Sequence, residues 1–112
     1  MDIPKMVEYG VLNDFYGSLL TPYQSRILHL YYDLDSSLSE LAQDFAISRQ
    51  GIRNVIVRAS KKLLEYEEKL GLVKKREVII KSVELLINDC DNIKNDIIKE
   101  KLFEIKKQVE EI

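Results

Sequence analysis

Tryptophan is missing from the 112 residues, cysteine occurs once at Cys90, histidine once at His29, and four glycines and two prolines are all the helix breakers present. A lone cysteine excludes a disulfide framework. Together with a single histidine it also excludes the ligand spacing of a zinc site. Cys90 is therefore expected as a small buried hydrophobe, and His29 as a packing or surface residue. Few breakers beside many Leu, Ile, Glu and Lys exclude a turn-rich sandwich or barrel and point to an all-α chain. No apolar run approaches the roughly 18 residues of a membrane span. The opening Met1-Asp2-Ile3-Pro4-Lys5 lacks the basic-then-apolar pattern of a signal peptide, so the cytoplasm is the expected setting. No Ser-His-Asp set, glycine-rich phosphate loop or metal spacing occurs either. An enzyme is not expected, nor a cofactor or metal.

Charge is scarce in sum and uneven in placement. The net charge of −2 argues, as a total, against a nucleic-acid partner. Residues 1–48 balance at −5, residues 49–76 at +6 and residues 77–112 at −3. Between Arg49 and Lys62 there are five bases and no acid. A local positive field of this kind is what phosphate neutralisation requires.

That basic stretch belongs to a pair of helices. Leu38, Leu41, Ala42 and Phe45 follow the spacing of one helical face, and Ser37 with Glu40 forms a capping box at its start. Ser48 is placed to cap a second helix, with Ile52, Val55, Ile56, Ala59 and Leu63 on its inner side. The outer side carries Arg49, Gln50, Arg53, Asn54, Arg58, Lys61 and Lys62. A helix-turn-helix inserts such a second helix in the DNA major groove, N-terminal residues nearest the bases. Arg49, Gln50, Arg53 and Asn54 are types that pair with guanine or adenine edges. Arg58, Lys61 and Lys62 suit phosphate contacts. Between the helices, Ala46 stands where φ is positive and glycine is usual, at a cost of about 1–2 kcal/mol. Gly51, in the first helical turn, either loosens the reading end or lets the backbone approach a phosphate.

Upstream, a helix is expected from Pro4 to Leu20 with Met6, Tyr9, Leu12, Phe15, Tyr16 and Leu19 inward. Thr21-Pro22-Tyr23-Gln24 signals another start, for a helix burying Ile27, Leu28, Leu30 and Tyr31. The basic helix should run through Tyr66 and Leu70 and end at Gly71. Residues 1–72 thus read as a helix-turn-helix domain, and residues 73–112 as a helical extension. In the extension, Val78, Ile79, Val83, Leu86, Ile87 and Cys90 line a face, and Asp89-Cys90-Asp91-Asn92 suggests a break. Ile98, Leu102, Ile105, Val109 and Ile112 then form a heptad seam. It either pairs with a second copy, making a homodimer, or folds back over the first helix.

The capped helix at Thr21–Tyr32, Tyr31-Tyr32-Asp33-Leu34, and the run Leu38-x-x-Leu41-Ala42-x-x-Phe45-Ala46-Ile47-Ser48-Arg49 resemble region four of bacterial sigma factors, a promoter-reading module. Ile52-Arg53-x-Val55 and Arg58-Ala59 extend the likeness towards Leu63. The chain is also similar to the small bacterial YlxM family of helix-turn-helix proteins, through Asp14-Phe15-Tyr16-x-Ser18-Leu19-Leu20-Thr21, Ser48-Arg49-Gln50-x-Ile52 and Glu67-Glu68-Lys69-Leu70-Gly71-Leu72. The resemblance implies an all-α, sigma-region-four-like bundle and a regulator connected with the signal recognition particle pathway. Double-stranded DNA is the first expected partner. An RNA or protein of the targeting machinery is the alternative, favoured by Gly51 and the acidic flanks.

Overall fold

The computed structural model describes residues 9–93 and 95–112, which form helices and turns with no strand among them. They belong to two compact units, one reaching to Gly71 and one spanning Leu72–Ile112.

In the first unit, helix α1 spans Tyr9–Tyr16 and then tightens into a 3-10 turn at Gly17–Leu19. The expected start at Pro4, and Met6, lie outside the described residues. The tightening moves the inward position. A 3-10 turn holds about three residues rather than 3.6, so Leu19, expected inward, is 54% exposed and Leu20 is buried in its stead. Helix α2, Pro22–Leu28, opens on the expected capping box: Thr21 Oγ1 accepts from the Gln24 amide, and Gln24 Oε1 accepts from that of Thr21. Its end widens into a π-helical segment, His29–Asp33, where the Leu34 amide reaches back to the His29 carbonyl. The Asp33 carboxylate lies where a Cβ on Gly10 would point, so a larger residue there would have to displace that side chain.

Helix α3, Leu38–Asp44, carries the second capping box, between Ser37 and Glu40. Helix α4, Arg49–Leu70, is the one the unit is built around, packing against α1, α2 and α3. Its Ile52, Ile56, Ala59 and Leu63 are fully buried, as are Ile27, Leu28 and Leu41 from the helices around it. Val55, Leu30 and Tyr31, expected inward, are half-buried. Aromatic rings knit the periphery. Tyr9 stacks on Tyr32 at 5.5 Å, and Tyr23 meets Phe45 edge-on at 5.5 Å, tying α2 to the end of α3. Gly71 ends α4 at φ +61°, its amide bonded to the Glu67 carbonyl.

The second unit is an antiparallel hairpin of α5, Leu72–Ile93, and α6, Asp96–Glu110. Helix α5 runs through the expected break at Asp89–Asn92 without interruption, and Asn95 caps α6 by accepting from the Ile98 amide. Asp and Asn are weak helix formers, but the buried Ile87 and Cys90 carry the inward row of α5 on through this stretch. The inward row of α5 is Val73, Arg76, Ile80, Val83, Ile87 and Cys90, each buried or half-buried. Val78, Ile79 and Leu86, expected on that face, are exposed. On α6 the half-buried row is Asn95, Lys99, Leu102, Lys106 and Val109. The heptad seam is thereby divided: Leu102 and Val109 lie on the α5 side, whereas Ile98, Ile105 and Ile112 remain exposed.

Candidate nucleic-acid interface

The interface candidate begins at the turn between α3 and α4. Phe45 closes α3, its amide bonded to the Leu41 carbonyl at 2.9 Å, and the Ile47 amide returns to the Ala42 carbonyl at 3.1 Å. These bonds satisfy the last carbonyls of α3 and require one left-handed residue between them. Ala46 is that residue, at φ +54°. The strain read from sequence at Ala46 is therefore present. Ser48 then caps α4, its Oγ accepting from the Gly51 amide at 2.9 Å. A Cβ on Gly51 would stand 3.2 Å from Ser48 Oγ and 3.3 Å from Ile47 Cδ1. An alanine there would need the Ser48 and Ile47 side chains to give by a few tenths of an ångström.

With the inner row of α4 sealed in the core, its basic residues occupy the remaining arc. Arg49, Gln50, Arg58, Lys61 and Lys62 are exposed, while Arg53 and Asn54 are half-buried. Among the described residues none of the five cations in this stretch sits in an ion pair. Two side chains are already engaged. Gln50 Nε2 donates to Asn54 Oδ1 at 3.0 Å, and Arg49 Nη1 donates to Ser39 Oγ at 3.4 Å. Leu38, Ser39, Arg49, Gln50 and Arg53 line a cleft of about 570 Å³ where the two helices meet. The expected base-reading group is thus gathered at the N-terminal end of α4, with Arg58, Lys61 and Lys62 following along the same helix.

Sequence periodicity missed two features. Ser39, the second residue of α3, contributes to the cleft and accepts a hydrogen bond from Arg49. Nothing in its spacing marks it. Ser60 is fully buried on the core side of α4, and its Oγ lies 2.9 Å from the Tyr32 hydroxyl. Burial raises the Tyr32 pKa above its ordinary 10.0, against the opposing pull of the Ser60 hydrogen bond. A polar residue beside Ile56, Ala59 and Leu63 signals a buried partner, and Tyr32 is the one the fold supplies. Away from α4, His29 pairs with Asp33 and Cys90 is a buried free thiol. No cluster of three or more potential metal ligands occurs among the described residues. No described helix is long and apolar enough to cross a membrane.

Comparison with known proteins agrees with this geometry. The family described as "Putative helix-turn-helix protein, YlxM / p13 like" matches residues 3–109. The UPF0122 protein of Desulforamulus reducens is 45% identical over 82 residues, covering 73% of this chain and 70% of its own. That of Clostridium novyi is 37% identical over 108 residues, covering 92% and 93%. That of Clostridium perfringens is 43% identical over 104 residues, covering 88% and 93%.

Proposed function

The chain belongs to the UPF0122 family of helix-turn-helix proteins, and from that premise we propose that it is a cytoplasmic, homodimeric regulator that inserts the N-terminal half of α4 in the major groove of double-stranded DNA. One observation carries the reading: five cations and no acid between Arg49 and Lys62, on the arc of α4 that the core leaves free. In this reading Arg49, Gln50 and Arg53 face base edges from the cleft. Asn54 holds the Gln50 amide so that its Oε1 and second N–H address adenine. Arg58, Lys61 and Lys62 neutralise phosphates. Two copies would occupy half-sites about 34–36 Å apart.

The test is a salt titration of duplex binding. Each neutralised phosphate adds a slope of about −0.9 to log affinity against log salt, so Arg58→Ala and Lys61→Ala should each flatten the line by close to one such step. A slope near zero for the unmodified protein would overturn the reading. The overall net charge of −2 favours a second reading, in which the same helix meets an RNA or a protein of the signal recognition particle pathway. Parallel binding to random duplex and to structured RNA separates the two.

A further inference from the structure

Three cross-hairpin contacts fix how α5 and α6 lie against each other. Arg76 donates to the Glu110 carbonyl at 3.1 Å, Lys106 pairs with Glu84 at 3.0 Å, and Lys99 pairs with Asp91. In this antiparallel register Leu86 is level with Ile105, and Ile79 with Ile112. At 3.6 residues per turn, Ile79 and Leu86 stand about 70° to one side of the inward row of α5. Ile98 and Ile105 stand at about the same angle from the inward row of α6, and Ile112 follows just past its end. Because the helices run in opposite directions, both offsets turn to the same side of the hairpin. The outcome is a continuous aliphatic face made of both helices, with Ile79 45%, Leu86 50%, Ile98 47%, Ile105 45% and Ile112 77% exposed. The opposite side of the hairpin carries Glu77 and Glu84 at the equivalent angle on α5 and, on α6, the half-exposed Phe103, so the run of aliphatic side chains is confined to one side.

We propose that this face, Ile79 and Leu86 of α5 with Ile98 and Ile105 of α6 and Ile112 just past its end, is where a second copy of the chain docks, two hairpins closing into an antiparallel four-helix bundle. The inference rests on the homodimer reading above and adds to it the surface and the geometry. Area supports it. The five side chains expose on the order of 500 Å², and two such faces bury about 1,000 Å² before any rim is counted, the size at which specific interfaces begin. Charge supports it too. A two-fold axis parallel to the helices lays α5 on the partner's α6 with every neighbour antiparallel. Asp89, at the α5 rim of the face, then stands level with Lys101 of the partner subunit, at the α6 rim. The same aliphatic rows are self-complementary under that operation, whereas an unrelated partner would have to match both.

Sedimentation equilibrium at tens of micromolar, with helical content followed by circular dichroism, tests the surface. The wild-type chain should be a dimer. Leu86→Glu with Ile105→Glu should raise the dimer dissociation constant by about 100-fold or more, since four carboxylates would enter the seam, while helical content stays unchanged. Leu85→Glu with Ile97→Glu, apolar positions that are more exposed (67% and 71%) and point away from the seam, should leave the dimer intact. Asp89→Lys should weaken it, and Lys101→Asp in the same chain should restore it. A wild-type monomer would sink the homodimer reading and this surface together. A dimer indifferent to the Leu86 and Ile105 changes would sink the surface alone, and a failure of the charge swap to restore would sink the axis.

Discussion

The two units of this chain bury their apolar residues to different depths. Around α4, Ile27, Leu28, Leu41, Ile52, Ile56, Ala59 and Leu63 lose all contact with solvent. In the α5–α6 hairpin the innermost residues, Val73, Val83, Ile87 and Cys90, still keep 6–9% of their surface. The reason is layering. Helix α4 is covered by three helices, whereas a two-helix hairpin has one contact seam and leaves its other faces to whatever comes. The first unit therefore seals its central helix on three sides, and the second keeps the outer faces of both its helices in solvent.

The largest effect that would break this contrast is a core truncation. Ile56→Ala should cost about 3–4 kcal/mol, the removed methylenes plus a cavity that three packed helices cannot collapse into. Val83→Ala in the hairpin should cost about 1–2 kcal/mol, because a nearby surface can relax. Chemical denaturation of both variants measures the difference. Equal losses would mean that the hairpin is as tightly cored as the helix-turn-helix unit.

How much of this was legible in the sequence follows the same division. The capping boxes at Thr21 and Ser37, the Ser48 cap, the left-handed Ala46 and the Gly71 stop are local chemistry. Each depends on residues within four positions of one another, and all are present. The α4 inner row was readable because a helix covered on most sides repeats its apolar residues at 3.6. In α5 and α6 the apolar residues serve two directions at once, so a single row drawn through Val78, Ile79, Val83 and Leu86 mixed two faces. The seam from Ile98 to Ile112 mixed them likewise. The basic stretch was legible as charge. That Arg49 leans on Ser39, and Gln50 on Asn54, depended on how α3 and α4 meet, which no spacing records.

A smaller effect sharpens the first unit. Ala46→Gly should stabilise the protein by about 1 kcal/mol, since the left-handed backbone at φ +54° penalises a Cβ. Glycine's greater freedom in the unfolded chain takes back part of the gain. Thermal melting checks the sign. A loss would mean that the Ala46 methyl packs better than its exposure suggests.

Comparable in size is the part-buried Tyr32–Ser60 contact, which joins the π-helical segment to α4. Tyr32→Phe should cost about 1 kcal/mol at neutral pH, leaving Ser60 without its partner. The pKa of Tyr32 is raised on folding, so the native state holds the phenolic proton more tightly than the unfolded chain does. Its contribution is therefore complete below pH 10 and is lost as pH climbs through the higher folded value. Wild type should lose stability in that alkaline window more steeply than the Phe variant.

The smallest expected effect lies in the hairpin. Lys106 and Glu84 pair at 3.0 Å, but Glu84 keeps half of its side-chain surface in water. An exposed pair of this kind contributes about 0.2–1 kcal/mol and fades with salt. Lys106→Ala should therefore shift the denaturation midpoint slightly in dilute buffer and hardly at all in high salt. A shift that persists in salt would point to the Lys106 methylenes, half-buried beside Leu102 and Val109, as the larger contributor. The hairpin would then be held by aliphatic cover even at its charged positions, and its need for a further apolar partner would be correspondingly less.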